Sequence, residues 1–278
     1  MRTPRRPLAA LLAAALLASL GLTGCGRSSS STAPTPTNGT LADLLALIHS
    51  AYIPGAVLPP NVDASASLLA TMELGGVRAA SALFVSGTTL LPAGTVDVRV
   101  PLVPGPGVAQ LALDQLSTPY LGVPQYAYTT LVSNPAGVTL PFDGASFHAF
   151  SVQGSGSFPA FSDSVQSVTP MSLTLPADMA TVSRASDLTV TWTAAGADTS
   201  VYVTVLVTSA ADSTRTAAGV LVRDSAGSTT VPAAQLGLLP AGGAKLGVAR
   251  YRLRYAVVSG HRVGLACEST KLQSLTLD

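Results

Sequence analysis

Cysteine is used twice in 278 residues, at Cys25 and Cys267, and histidine three times, at His49, His148 and His261. A thiol can be a nucleophile, a metal ligand or an acylation site. The two cysteines differ in setting. Cys25 ends a stretch of Leu, Ala and small residues. Cys267 continues the alternating row Val263, Leu265, Cys267, which is the place of a small buried hydrophobe, and the neighbouring Glu268 argues against an activated thiolate. The histidines lie about a hundred residues apart in sequence, so no pair has the close spacing of a zinc motif. Their plain roles are to end a helix (His49), to sit on a strand face (His148) and to lie in a turn over residues 259–262 (His261). A glycosidase-type carboxylate pair would have to come from the aspartates and from Glu73 and Glu268. Most of the aspartates stand in turn contexts, Asp143-Gly144, Asp163-Ser164, Asp198-Thr199 and Asp212-Ser213, where a carboxylate bonds nearby backbone N–H groups. There is no G-x-S-x-G elbow, P-loop or dinucleotide fingerprint. No catalytic residue, metal site or cofactor is therefore assigned.

One constellation could bind rather than react. Arg250, Arg252 and Arg254 alternate with Tyr251, Leu253 and Tyr255, and Arg262 follows. On a strand the three arginines share a face, about 6–7 Å apart per step. That makes them, with Arg262, a candidate patch for an anionic glycan or a lipid head group. The competing and favoured reading is a solvated face whose charges discourage edge-to-edge pairing.

Cys25 is set up by what precedes it. Residues 1–7 carry Arg2, Arg5 and Arg6 and no acid, and residues 8–22 are almost entirely Leu and Ala, which is the secretory pattern of a basic start and a short apolar core. The core is short of the roughly 20 residues of a membrane-spanning helix. Leu22-Thr23-Gly24-Cys25 resembles the bacterial lipoprotein signal, or lipobox. The resemblance implies cleavage between Gly24 and Cys25, diacylglycerol on the Cys25 thiol and a cell-envelope location with membrane lipid as partner. Gly26, rather than an aspartate after the cysteine, implies the outer membrane where a cell has one. Arg5-Arg6 also invites a twin-arginine export reading, but prolines flank the pair and the rest of that motif is missing.

Removing residues 1–24 takes away three of the 15 basic residues, leaving 12 against 14 acidic ones, a net charge of −2. Such a chain has no cationic footprint for nucleic acid. Charged residues make up only 10% of the sequence, so Ser, Thr, Gly and Ala must cover the surface. If Cys25 is acylated, Cys267 has no partner and the fold must rely on its apolar core rather than on a disulfide.

Residues 25–40, rich in Ser, Thr and Pro, read as a flexible tether. The sequon Asn38-Gly39-Thr40 within it is best explained by chance. Residues 40–50 read as one short helix: Thr40 caps it, Asp43 sits in its first turn, and Leu41, Leu44, Leu45 and Ile48 share a face. The period then changes to two. Rows such as Val96-Val98-Val100 and Tyr126-Tyr128-Thr130, separated by Gly and Pro turns, predict a β-sandwich over residues 41–166. About seven further strands over 167–278 predict a second one. There, Asp187-Leu188-Thr189-Val190-Thr191-Trp192, then Tyr202-Val203-Thr204-Val205, then Leu239-Pro240-Ala241-Gly242 with Tyr255-Ala256-Val257-Val258, resemble the tryptophan strand, its successor and the tyrosine strand of fibronectin type III and related immunoglobulin-like domains. The resemblance implies a spacer or binding module with no catalytic residues. The expectation is an all-β, two-sandwich, lipid-anchored envelope protein that acts without catalysis, by binding an envelope protein or glycan or as a structural part. The alternatives are a surface hydrolase or carbohydrate-binding accessory, and a subunit of a larger envelope assembly.

Overall fold

A computed structural model describes residues 67–278, apart from 75, 87–88, 103–105, 121–122, 131–138 and 210–215. The signal and lipobox with Cys25, the tether, the helix expected over 40–50 with His49 and the Asp212-Ser213 pair lie outside the described residues.

Among the described residues, alternating apolar and polar residues build seventeen strands. They are β1 (Ser67–Leu74), β2 (Val77–Leu83), β3 (Val85–Ser86), β4 (Thr89–Leu90), β5 (Val96–Pro101), β6 (Val108–Tyr120), β7 (Val123–Thr129), β8 (Phe147–Val152) and β9 (Phe161–Gln166), followed by β10 (Leu173–Leu175), β11 (Ala180–Val182), β12 (Leu188–Trp192), β13 (Val201–Ser209), β14 (Thr216–Arg223), β15 (Ser228–Val231), β16 (Gly242–Val258) and β17 (His261–Leu277). Among the described residues helix is confined to α1 (Ala233–Leu236) and a 3₁₀ turn over Asp224–Ala226. No helix there is long and apolar enough to cross a membrane. The all-β expectation holds.

The main sheet runs β14-β13-β16-β17-β1-β2-β7-β6-β5-β8-β9, with β11 also on β17. A small sheet, β10-β12-β15, stands apart from it. Three strands facing the four of β14-β13-β16-β17 enclose one core, made by Val190, Trp192, Val203, Val205, Leu246, Val248 and Leu275 among others. This is the immunoglobulin-like, two-sheet arrangement that the tryptophan strand implies. The other core gathers Leu69, Phe84, Val98, Leu111, Tyr128, Phe150, Val165 and Leu265. Its sheet turns a corner along β6, whose residues 108–113 pair with β5 while 114–120 pair with β7, so that two layers can face each other. The chain passes from the first core to the second between Val168 and Met171, just beyond the division expected at 166/167, and it returns to the first core at Val201, Val263, Leu265 and Cys267. That division does not separate two sheets. β17 continues past the second core to pair in parallel with β1, from Ser67↔Val263 to Leu74↔Thr270.

The spine of this arrangement is the β16–β17 hairpin, two 17-residue strands paired from Gly242↔Leu277 to Val258↔His261. One end of it feeds the second core through Ala244, Leu246, Val248, Leu275 and Leu277. The other end feeds the first core through Val263, Leu265 and Cys267. Its two-residue turn, Ser259-Gly260, has both residues at positive φ (49° and 84°), the backbone that matches the strand twist. His261 therefore opens β17 instead of lying in the turn, a correction to the expected turn over 259–262.

The rim of the first core is closed by two loops that nearly touch. Gln153 N donates to Thr95 O (2.9 Å) and Ser155 Oγ to Pro92 O (2.5 Å). Gly94 is at φ 73°, and a β-carbon there would run into the Gly154 carbonyl. Gly156 in the same loop has open space around it. Gly94→Ala should therefore cost about 3 kcal/mol, from left-handed strain plus a forced backbone shift. Gly156→Ala should stay within about 0.5 kcal/mol. Urea unfolding of the two variants checks this, and equal costs would contradict the close approach.

Candidate functional site

The arginine row is positioned by the phase of β16. Ala244, Leu246 and Val248 point into the second core, and every second residue beyond them keeps that direction. Arg250 is consequently only 2% exposed. Its Nε donates to Asp224 Oδ1 at 2.9 Å, with Asp224 1% exposed. Its Nη1 donates to Thr169 O (3.2 Å), Thr169 Oγ1 (2.9 Å) and Pro170 O (3.0 Å), and its Nη2 to Thr193 O. Asp224 is held in turn. Its Oδ2 accepts from Ala195 N at 2.6 Å, and its carbonyl accepts the Trp192 indole N–H at 3.0 Å. One guanidinium thus ties β16, the 3₁₀ turn, the end of β12 and the crossing between the two cores.

Arg252 is also buried, and its Nη2 donates to Asp198 Oδ2. Its Nε and Nη1 have no partner among the described residues. Asp198 Oδ1 accepts from Ser200 N (2.8 Å) and Ser200 Oγ (2.7 Å), and these bonds, with Arg252 adding to them and burial opposing, hold the carboxyl below its usual range. Arg254, with a side chain 58% exposed, pairs with Asp163 at 3.0 Å. Arg262 lies over the Tyr255 ring, 5.9 Å from its centroid. The three arginines expected on one face, with Arg262 nearby, do not form an exposed patch for an anionic ligand, nor is the whole row a solvated face. Arg250 and Arg252 are interior because they follow Val248 in the inward phase of the strand, Arg254 further along is exposed, and each of the three has its own aspartate.

A second cluster lies in the first core. His148, Thr71 and Cys267 are all fully buried. His148 Nε2 can only donate to the Pro141 carbonyl (2.8 Å), which leaves Nδ1 to accept from Thr71 Oγ1 at 2.6 Å. Burial lowers the His148 pKa below 6.5, against the opposing pull of Pro141 O and of the Asp143 charge. Burial likewise pushes the Cys267 thiol up to about 11, despite hydrogen bonds involving Thr71 and the Val168 backbone. Cys267 is therefore a protonated core residue, as its place in the alternating row implies.

The remaining chemistry-bearing groups are also engaged. For Asp143, burial alone would raise the pKa, but hydrogen bonds from Ser146, Ala145 and Ser167 outweigh it and hold the carboxyl far below its ordinary value. Asp163 accepts from Ser164 N at 2.7 Å. Glu73 accepts from Gly76 N (2.8 Å) and from Ser269 Oγ (2.5 Å). Burial raises Glu268 to about 7, partly offset by a hydrogen bond from Thr270 Oγ1. The His261 ring packs 5.0 Å from that of Phe158. Among the described residues no three of His, Cys, Asp and Glu are grouped to hold a metal ion.

Asp224 and Thr71 carry much of this geometry and were not singled out by sequence. The signal for the first was present in outline: an arginine in phase with Leu246 and Val248 needs a buried acid. Thr71 reads as one more polar residue of an alternating strand.

No protein-family model matches this chain, and no curated protein matches it in sequence. Of solved structures, one of the chicken CNTN1 FN1–FN3 domains aligns with 72% of this chain at 12% identity and a TM-score of 0.26. The chain spans 65% of that structure. A likeness this slight carries no argument about fold or function.

Removing Arg250 strands a carboxylate in the interior. Arg250→Ala should destabilise the protein by about 3–5 kcal/mol, whereas Arg254→Ala, at an exposed pair, should cost under about 1 kcal/mol. Equal losses in denaturant titrations would contradict the interior role of Arg250. His148 gives a pH signature. Its folded pKa is depressed, so below the ordinary 6.5 the unfolded chain binds the extra proton and stability falls as pH drops toward the folded pKa. Glu268, with its pKa raised from 4.5 to about 7, contributes the opposite slope between those values, but equally in any His148 variant. Wild type should thus lose more stability between pH 7 and pH 5 than His148→Gln, as read from urea midpoints at each pH.

Proposed function

We propose that the protein is a lipid-anchored component of a bacterial cell envelope that works without catalysis, by binding or as a structural part. The observation that carries this reading is Leu22-Thr23-Gly24-Cys25 at the end of a basic and then apolar leader, followed by a tether of Ser, Thr and Pro. Acyl chains on Cys25 would hold the body at a bilayer, each buried methylene adding about 0.8 kcal/mol. The β body supports the passive half of the reading. Arg250, Arg252 and Arg254 are spent on aspartates, His148 has both ring nitrogens engaged by Pro141 and Thr71, and Cys267 is a buried thiol. Groups committed in this way hold strands together and are not poised over a substrate. An immunoglobulin-like sandwich on a tether suits a spacer or a binding module.

The anchor is tested in a bacterial host by labelling with an alkyne fatty acid and fractionating the cells. The full chain should carry label and sediment with membranes. Cys25→Ser should lose the label and the membrane association. Label retained on Cys25→Ser, or an unlabelled soluble wild type, would overturn the reading.

A further inference from the structure

We propose that the parallel β1–β17 ladder is a shear-loaded joint, through which tension on the tether is carried into the body without peeling strands apart. This rests on the anchored reading above, in which pull enters from the Cys25 side and reaches the described fold at Ser67, the first residue of β1.

The geometry follows from the register. β1 and β17 run in the same direction, with Ser67 level with Val263 and Leu74 level with Thr270. β17 then continues to Leu277, seven residues further, or about 23 Å at a strand's rise per residue. When the Ser67 end is drawn one way and the body is held near the Leu277 end, the two strands are pulled lengthwise past each other. Every rung of the ladder is strained at once, and none can open before the others. β1 is also an interior strand. Its opposite edge pairs with β2 from Leu68↔Leu83 to Leu74↔Val77, so sliding it out breaks a second ladder. Two side chains pin it across its neighbours: Glu73 accepts from Ser269 Oγ of β17 at 2.5 Å, and Thr71 bonds His148 of β8 at 2.6 Å. β17 is itself fixed along its whole length by β16, and at its far end by β11 through Ala180↔Leu275 to Val182↔Leu277.

The same fold contains its own control. The Ser259-Gly260 turn lies at the Ser67 end of the sheet, since His261 and Arg262 immediately precede Val263. Tension between Ser67 and that turn pulls two points at one end of the strands apart, and rungs then open one after another.

Optical-tweezers unfolding of the full chain from Cys25 onward, made unacylated so that the Cys25 thiol takes one handle, separates the two cases. The second handle is placed on Asp278→Cys or on the exposed Val257→Cys next to the turn, Cys267 being buried. The body should unfold at a force at least about twofold higher with the 25/278 handles than with the 25/257 handles at one loading rate, because forced unfolding reads the barrier along the pulled direction. Equal forces, or a stronger 25/257 pair, would overturn the joint. The result is independent of acylation, so absence of lipid on Cys25 defeats the anchor while equal forces defeat only the joint.

Discussion

Two cores hang on one hairpin, and the rest of the structure follows from that constraint. β16 and β17 are paired over their full 17 residues, so a single inward face has to serve the second core at one end and the first at the other. Between the cores the apolar supply on β16 runs out, and Arg250 and Arg252 occupy the inward positions. Desolvating a guanidinium costs several kcal/mol, which a counter-charge and further acceptors offset. Asp224, Thr169, Pro170 and Thr193 supply them for Arg250. The same carboxylate fixes the turn that receives the Trp192 indole, so the waist of the molecule and the wall of the second core are set by one set of hydrogen bonds.

Much of the fold can be read locally. Period-two rows mark the strands, and Trp192 lies where its strand suggests, buried in the second core. The arginine row shows where such reading stops. Alternation correctly puts Arg250, Arg252 and Arg254 on one face, but charge suggested that this face meets water. Phase was the better guide: counting back by twos from Arg250 reaches Val248, Leu246 and Ala244, all core residues. Cys267, judged by its row rather than by its reactivity, lies as expected in the interior. The partnership of β1 with β17 has no local trace. Ser269 and Glu73 meet across 196 positions of sequence, and either strand alone reads as an ordinary alternating segment. A parallel pair leaves no turn residue to announce it.

The groups that could do chemistry are mostly turned to holding strands. His148 is fastened by the Pro141 carbonyl and Thr71, and Asp143 by three neighbouring residues. Such groups rigidify a core when all their bonds are satisfied, and they carry a penalty whenever one bond is lost. A chain so poor in charge uses its few ionisable residues as fasteners, while backbone ladders and apolar contacts do the bulk of the folding work. That division of labour holds the described residues together while Cys267 stays a free thiol.

The placement of β1 also dictates an order of events during biosynthesis. β1 is the first of the described strands to emerge from a ribosome, yet one of its two neighbours is the last of them. Until β17 arrives, β1 has β2 on one side and an open edge of backbone amides and carbonyls on the other. Closure of the first core must wait for the last of the described strands, which makes this a topology of long-range contacts and slow maturation. During that wait the nascent chain presents an unpaired strand edge, the kind that adheres to other chains.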